Sequence, residues 1–224
     1  MKAIFCLNCG NKLEDNFNFC PQCGTKVASN ALSTPSDSSG TLAKPNDTVG
    51  IFTDPRDGKV YKTVKIGNQV WMAENLAYDA PGSKCYKSDP ANFKKYGLLY
   101  DWGTAMKVCP SGWHLPSQEE WQTLVDFVGG DEIAGKKLKA INGWQSNEGK
   151  PGGGTDNFGF AALPGGRGLS GGSFLGVGGN GNWWSASEYV AGSAYGRHMG
   201  YVNENVTWDY YDKDVLHSIR CLQD

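Results

Sequence analysis

The sequence lacks any long apolar run, which excludes a helix that spans a membrane. Such a helix needs roughly 20 consecutive apolar residues, and no run in the 224 residues approaches that length. Residues 1–6 hold one lysine and too short an apolar stretch for a secretory signal or a lipid anchor at Cys6. We therefore expect a cytoplasmic protein without a membrane segment.

The chain also lacks an excess of charge of either sign. It has 21 Lys and Arg against 23 Asp and Glu, a formal net charge of -2. A dedicated nucleic-acid binder usually shows a basic face or stripe, so no nucleic-acid partner is expected. The hydrophobic content of 39% is sufficient for a core, so the chain is not disordered as a whole.

Motifs of common enzymes are missing as well. No phosphate-binding G-x-x-x-x-G-K-[ST] loop occurs, and no serine, histidine and acid residues stand out as a catalytic set. His114 lies between Trp113 and Leu115, where a packed histidine is expected rather than a base. The sequence therefore predicts a protein that is not an enzyme.

What is present, first, is a pair of C-x-x-C motifs. Cys6 and Cys9 are followed, ten residues later, by Cys20 and Cys23, and a glycine follows each pair. Two such turns complete a tetrahedral four-thiolate zinc site, and glycine allows each sharp turn. Two disulfides are the alternative, which the missing export signal disfavours. With so few apolar residues, zinc must supply the folding energy of this ribbon.

The composition changes twice after the ribbon. Residues 28–49 are rich in Ser, Thr, Pro, Asn and Asp without periodicity, as in a flexible linker. We divide the chain into a zinc ribbon (1–27), a linker (28–49) and a large domain (50–224).

The first part of the large domain predicts a hairpin and a helix. Apolar residues alternate over 59–66, a Gly67-Asn68 turn follows, and 69–73 is the return strand. Helical spacing of apolar residues predicts a helix over 96–108.

Capping and glycine signals mark the middle of the domain. Ser117 with Glu120 forms a capping box, which predicts a helix that ends at Gly129. A short helix is expected over 132–140. Between 143 and 181 lie about half of the 31 glycines, with a short strand predicted at 158–163.

The last forty residues predict strands at 182–189, 194–202, 205–210 and 216–222. Strand residues alternate between faces. In the second strand one face has larger side chains, typical of packing, and the other is small and mixed. The packing face holds Tyr195, Arg197, Met199 and Tyr201, and the small face holds Gly196, His198, Gly200 and Val202.

The large domain resembles the Fibrobacter succinogenes major paralogous domain. The matching segments are 57–76, 96–102, 109–117, 183–185 and 218–222. The resemblance implies an α+β, C-type lectin-like fold related to formylglycine-generating enzymes. It would have two helices, a small twisted antiparallel sheet and long Gly-rich loops.

The segment 183–222 also resembles the variable region of diversity-generating retroelement target proteins, in which a fixed scaffold displays rewritten residues. The implied scaffold residues are Trp183, Trp184, Ser185, Glu188, Ala194, Arg197, Tyr201, Val206, Lys213, Ser218, Arg220 and Cys221. The implied variable, ligand-binding residues are Gly196, His198, Gly200, Val202, Thr207, Asp209, Tyr210, Tyr211, Asp214 and Val215.

Three cysteines lie in the large domain. Family members often carry a cysteine near Phe93, so its absence leaves Cys85 alone. Cys109 and Cys221 match positions that could form a bridge, but a reducing cytoplasm favours two neighbouring buried thiols.

Three functions are compatible with these features. The first is a non-catalytic ligand-binding module, with a protein ligand favoured over a glycan, because the C-terminal segment is rich in aromatic and short polar residues. These residues are Tyr189, Trp208, Tyr210, Tyr211 and His217.

The second is an oxidase resembling formylglycine-generating enzymes, for which only Cys85, Cys109 and Cys221 are available. The third is a zinc-ribbon adaptor, whose few lysines favour a protein partner over nucleic acid. Calcium stays open, because Asn203, Glu204, Asn205 and Asp209 could supply oxygens without spelling a known motif. Nothing indicates the oligomeric state.

Overall fold

The computed structural model describes residues 4–5, 12–13 and 49–224. The chain divides into two compact units, Met1–Leu42 and Ala43–Asp224. Among the described residues of the second unit, the first strand starts at Val49.

In the first unit two short strands, β1 (Ile4–Phe5) and β2 (Lys12–Leu13), pair antiparallel. They flank positions 6–11, which contain Cys6 and Cys9. The four predicted zinc ligands themselves, and most of the predicted linker, lie outside the described residues.

The second unit mixes strands with four α-helices. Its strands are β3 (Val49–Thr53), β4 (Val60–Ile66), β5 (Gln69–Met72), β6 (Trp113–His114), β7 (Ser146–Asn147), β8 (Lys150–Pro151), β9 (Arg167–Gly168), β10 (Phe174–Leu175), β11 (Asn180–Val190), β12 (Ser193–Gly200), β13 (Thr207–Asp212) and β14 (Leu222–Gln223). Its helices are α1 (Pro90–Tyr96), α2 (Trp102–Val108), α3 (Gln118–Phe127) and α4 (Asp131–Leu138). The resemblance implied two helices, so this count is a correction.

A five-stranded antiparallel sheet has the order β3-β4-β5-β14-β6. The predicted β4–β5 hairpin is confirmed, and Gly67 takes the left-handed backbone of its turn (φ 61°). Leu222 of β14 pairs with Trp71 on one side and His114 on the other. The predicted strand at 216–222 is thus reduced to β14 and isolated bridges.

A three-stranded antiparallel sheet has the order β11-β12-β13, so β12 is its central strand. The three predicted strands are confirmed with shifted ends. Neighbouring Trp183 and Trp184 on β11 face opposite sides of this sheet and belong to two separate hydrophobic clusters. The sheet is therefore covered on both faces near its β11 edge.

The predicted capping box is confirmed at the start of α3. The Ser117 side chain accepts the Glu120 backbone N–H at 3.2 Å, and the Glu120 carboxylate accepts the Ser117 N–H at 2.8 Å. Gly129 and Gly130 follow the helix with positive φ, and α4 confirms the short helix. No helix among the described residues is long and apolar enough to cross a membrane.

The single helix predicted over 96–108 is wrong. The chain leaves α1 at Gly97 (φ 75°), where a Cβ would lie 2.7 Å from the Leu76 carbonyl oxygen. It then runs extended, with Tyr100 bridged to His217, until Asp101 caps α2. Apolar spacing alone did not reveal this interruption.

The Gly-rich segment packs backbone against backbone. A Cβ at Gly152, Gly153 or Gly154 would lie 2.1–2.2 Å from a neighbouring carbonyl oxygen, so only glycine fits. The strand predicted at 158–163 is wrong, because its only pairing is an isolated bridge between Ala162 and Lys139.

Cys109, at the end of α2, forms a disulfide with Cys221, which is fully buried beside β14. The expectation of two reduced thiols is therefore wrong, although their proximity was predicted. Cys85 is a free, partly buried thiol.

Candidate ligand-binding site

The pairing of β11, β12 and β13 determines which predicted binding residues share a surface. His198 is paired with Asn182 on one side and with Thr207 on the other. Gly196 is paired in the same way with Trp184 and Asp209. Because side chains alternate along a strand, these residues lie on one face of the sheet.

A cavity of about 550 Å³ opens on this face. We call it the polar pocket, and its lining residues are Arg167, Leu175, Asn180, Asn182, His198, Thr207, Trp208, Asp209 and Tyr211. Four of the ten predicted binding positions therefore converge here, namely His198, Thr207, Asp209 and Tyr211.

His198 lies at the centre of a small hydrogen-bond network. Its Nε2 is 3.1 Å from Asn180 Oδ1, and its Nδ1 is 3.4 Å from Thr207 Oγ1. Burial lowers the pKa of His198, nearby Arg167 lowers it further, and Asp209 opposes the shift. The imidazole is therefore neutral at neutral pH.

Arg167 enters the pocket from β9, which the Gly-rich segment places beside β11. The Gly166 backbone N–H donates to the Asn180 carbonyl at 2.8 Å, and Asn182 Nδ2 donates to the Gly166 carbonyl at 3.4 Å. The guanidinium carbon of Arg167 lies 5.3 Å from the centre of the Tyr211 ring.

Sequence reasoning missed Arg167, Asn180 and Asn182. The signal that could have drawn attention to them is the glycine density around Arg167, which permits the close backbone approach.

His217 lies behind Tyr211 and corrects the expectation of a displayed side chain. It is fully buried, stacked on Trp184 at 4.3 Å and edge-on to Tyr211 at 4.5 Å. Neither ring nitrogen has a hydrogen-bond partner among the described residues. Burial, helped by Arg167 and His198, lowers the pKa of His217 to about 3.

The other predicted binding residues lie elsewhere. Gly196 and Gly200 are buried within the sheet, and a Cβ on Gly196 would lie 3.0 Å from the Tyr211 ring. Val202 and Asp214 are exposed outside the pocket, and Val215 is 8% exposed within a hydrophobic cluster. Val215 is thus unavailable to a ligand in this structure.

Tyr210 belongs to the opposite face, where it joins an aromatic patch of Tyr189, Tyr195, Trp208 and Tyr210. Trp208 also borders the polar pocket, but its ring packs against Tyr195 in the patch. The Tyr189 and Tyr210 rings stack at 4.3 Å, and Tyr195 lies edge-on to Trp208 at 5.6 Å. Trp208 and Tyr210 are about half exposed.

Buried Arg197 shares this second face. Its Nη2 donates to Gln122 Oε1 at 2.9 Å, while its Nη1 is 3.9 Å from Asp131 Oδ1. Burial lowers the pKa of Arg197 to about 10, and Asp131 partly opposes that shift.

Most residues implied as fixed scaffold are buried. Those below 2% exposure are Trp183, Trp184, Ser185, Ala194, Arg197, Val206, Ser218, Arg220 and Cys221. Glu188 and Lys213 are ion-paired with each other, and Tyr201 packs against a hydrophobic cluster.

A family model of the Fibrobacter succinogenes major domain matches residues 64–223, which is most of the chain. The chain belongs to this family. A zinc-ribbon domain model matches residues 5–27, so a zinc ribbon precedes the major domain. No curated protein and no solved structure matches the chain.

Within the described part of the major domain, no group of three or more His, Cys, Asp or Glu residues could hold a metal ion. Of the oxygens considered for calcium, the Asn203 carbonyl accepts a hydrogen bond from buried Lys139 Nζ at 2.7 Å. The same ammonium donates to the Gly152 and Gly200 carbonyls at 2.9 Å each. Glu204 is ion-paired with Lys136 at 2.7 Å.

The cysteines of the major domain bear on the oxidase alternative. That chemistry needs a reactive cysteine pair at a metal site. In the described residues Cys109 and Cys221 are bonded to each other, and burial is the main cause that raises the pKa of the Cys85 thiol. No observation favours this alternative over binding.

Proposed function

We propose that the major domain is a non-catalytic ligand-binding module and that its binding site is the polar pocket. The observation that carries this proposal is the convergence of four predicted binding positions in one cavity of about 550 Å³. Ligand sites are concave and carry a few placed polar groups on a rigid frame.

The frame behind the pocket supports this assignment. Trp184 Nε1 donates to the Tyr100 carbonyl at 2.8 Å, and the Trp184 ring stacks on His217. Tyr211 in turn packs edge-on against the Trp184 ring at 6.2 Å. The pocket wall thus rests on a packed aromatic core, which holds its geometry before a ligand arrives.

We also propose the finer classification as a C-type lectin-like domain with a diversified surface. Its support is that the implied scaffold residues are largely buried, while His198, Thr207 and Asp209 share one accessible face. A reverse transcriptase gene and a near-copy of the 3′ end in the neighbouring DNA would establish diversification. If the neighbouring DNA contains neither, the surface is not diversified, and the proposed binding function is unaffected.

For the N-terminal ribbon we propose one structural zinc held by Cys6, Cys9, Cys20 and Cys23. Four thiolates suit zinc and leave no open position for catalysis. The antiparallel pairing of β1 with β2, on either side of the positions that hold the first cysteine pair, supports this proposal. The ribbon would act as an adaptor for a protein partner, in keeping with its few lysines.

The binding proposal is tested with the full chain by two-dimensional NMR. A panel of amino acids, sugars and short peptides is titrated into ¹⁵N-labelled protein, and shifted amide signals are mapped. We expect shifts at His198, Thr207 and Asp209.

The triple variant His198→Ala, Thr207→Ala, Asp209→Ala should lose these shifts and keep its melting temperature. The matched control is Lys65→Met, which changes an exposed residue of β4. Shifts confined to the aromatic patch, or binding that survives the triple variant, would remove the pocket from the proposal.

A further inference from the structure

Two opposite charges line the polar pocket without pairing with each other. Arg167 and Asp209 both contribute to its wall, yet no N–O distance of 4.0 Å or less joins them. Among the described residues Arg167 forms no ion pair and donates no side-chain hydrogen bond. Asp209 Oδ1 accepts only the neighbouring Tyr210 backbone N–H, at 2.8 Å.

The backbone fixes Arg167 where it is. Arg167 is paired with Leu175 in the β9–β10 hairpin, and the preceding Gly166 bridges to Gly181 at the start of β11. The half-buried guanidinium lies over the Tyr211 ring at 5.3 Å, so its planar fork of donors is oriented. Such a fork matches the two oxygens of a carboxylate.

The same pocket is lined by neutral polar groups. His198, Asn180 and Thr207 bond to one another in a chain. Both charges influence His198, since Arg167 lowers its pKa and Asp209 raises it. The pocket is therefore dipolar, with a positive side at β9 and a negative side at β13.

We propose that the pocket takes a ligand with a carboxylate that binds Arg167 and a hydroxyl or ammonium group that binds Asp209. This inference rests on the proposed binding function and names the ligand chemistry of the same site. A ligand of this kind would pair with both charges at once, whereas a neutral ligand would offer Arg167 a weaker acceptor than the two oxygens of a carboxylate.

Two sources present this chemistry, an acidic sugar and an amino acid. In both, the carboxylate and the donor groups lie on one small skeleton, and the cavity of about 550 Å³ has room for either. Tyr211 supplies an aromatic wall for the apolar part of such a ligand.

The test uses two matched probe pairs against the ¹⁵N-labelled full chain. D-glucuronate is compared with D-glucose, and L-serine with ethanolamine, because the second member of each pair lacks the carboxylate. We expect one acidic probe to bind at least tenfold more tightly than its carboxylate-free partner, as measured from the shifts of the His198 and Asp209 signals. The pair that responds identifies the source.

Variants of the two charges sharpen the test. Arg167→Met keeps an unbranched apolar stem and removes the guanidinium donors. It should weaken binding of the acidic probe at least tenfold and leave binding of its carboxylate-free partner unchanged. Asp209→Asn should weaken binding of the acidic probe by a smaller factor. Lys65→Met, on another sheet, should have no effect, and unchanged melting of all three variants excludes misfolding.

The inference is overturned if neither acidic probe shifts the pocket signals at tens of millimolar, or if in neither pair the acidic probe binds more tightly than its carboxylate-free partner. Arg167→Met that retains the affinity for the acidic probe would also overturn it. The proposed function survives these outcomes when another member of the wider panel shifts the same signals. The proposed function itself fails when no member of the wider panel shifts these signals.

Discussion

The three-stranded sheet presents two accessible surfaces of different character on its opposite faces. One face carries the polar pocket, which is concave and contains His198 beside charged and amide groups. The other carries the aromatic patch, in which Tyr189, Trp208 and Tyr210 are 44–51% exposed. Neighbouring residues of β13 thus serve different surfaces, since Asp209 faces the pocket and Tyr210 the patch.

The two surfaces differ in the buried side chains that support them. The pocket rests on the Trp184, His217 and Tyr211 rings, which are packed against each other. The patch lies beside Arg197, which is paired with Trp208 and is a buried cation whose Nε and Nη1 have no hydrogen-bond partner among the described residues. We therefore expect substitutions behind the pocket to lower the free energy of unfolding more than substitutions in the aromatic patch.

The largest effect should come from Trp184→Ala, compared with Trp208→Ala on the patch. Trp184 is fully buried and hydrogen-bonded, so its loss should cost about 3–5 kcal/mol of unfolding free energy. Trp208 is half exposed, and its loss should cost below about 1 kcal/mol. Urea denaturation of both variants measures the difference, and equal losses would contradict the comparison.

The next effect concerns the disulfide in the cluster beneath the pocket face. Cys109 and Cys221 close a loop with a sequence separation of 112 residues. Reduction should therefore lower the unfolding free energy by about 2–5 kcal/mol. The measurement is urea denaturation of Cys109→Ser, Cys221→Ser beside the oxidised protein, with Cys85→Ser as the control.

Thiol titration of the zinc-free, denatured protein should find five reactive cysteines if the bridge is present, because seven cysteines less the bonded pair remain. Seven reactive thiols would restore the expectation that Cys109 and Cys221 are reduced.

A smaller effect should appear on acidification and come from His217 behind the pocket. Its pKa of about 3 is below the unfolded value, so the unfolded state binds its proton first as pH falls. Stability should therefore decrease from about pH 6.5 downwards, by about 2–3 kcal/mol at pH 4.5. In His217→Phe this loss should be absent, as judged by urea denaturation at pH 7 and 4.5. A variant that retains the acid sensitivity would show that another group causes it.

The smallest effect should come from His114, on the five-stranded sheet. Unlike His217, it should stabilise the folded protein at low pH. Burial lowers its pKa, but hydrogen bonds to Asp224 and Glu120 outweigh this and raise it. The stabilisation is full below the unfolded pKa and disappears as pH rises through the folded pKa. Since the side chain is 38% exposed, we expect below about 1 kcal/mol. The difference between the protein and His114→Gln at pH 5.5 and 8.5 measures it, and a pH-independent difference would refute it.

Local signals predicted the local structure well. The capping box at Ser117, the hairpin at Gly67 and the alternation along β12 each depend on neighbouring residues, and each is confirmed. These features need no information about distant segments.

Features that join distant segments could not be predicted in the same way. Arg167 reaches the pocket through the bridge between Gly166 and Gly181, and Tyr100 interrupts the predicted helix because it pairs with His217. The bond between Cys109 and Cys221 depends on the approach of two segments 112 residues apart, which the expected cellular compartment does not determine. Of the pocket residues, alternation along β12 indicated His198, and the resemblance to variable regions indicated Thr207, Asp209 and Tyr211 on β13. Arg167 was indicated by neither, because it lies on a two-residue strand within the Gly-rich segment.

The position of β14 determines when this domain can fold during synthesis. β14 lies between β5 and β6, although it is the last strand of the domain. While the ribosome is still making residues 115–221, β5 and β6 have no partner strand between them, and their open edges can pair with other chains. The five-stranded sheet is completed only after Leu222 has emerged. This domain therefore depends on protection of its nascent chain more than a domain whose strands pair in chain order.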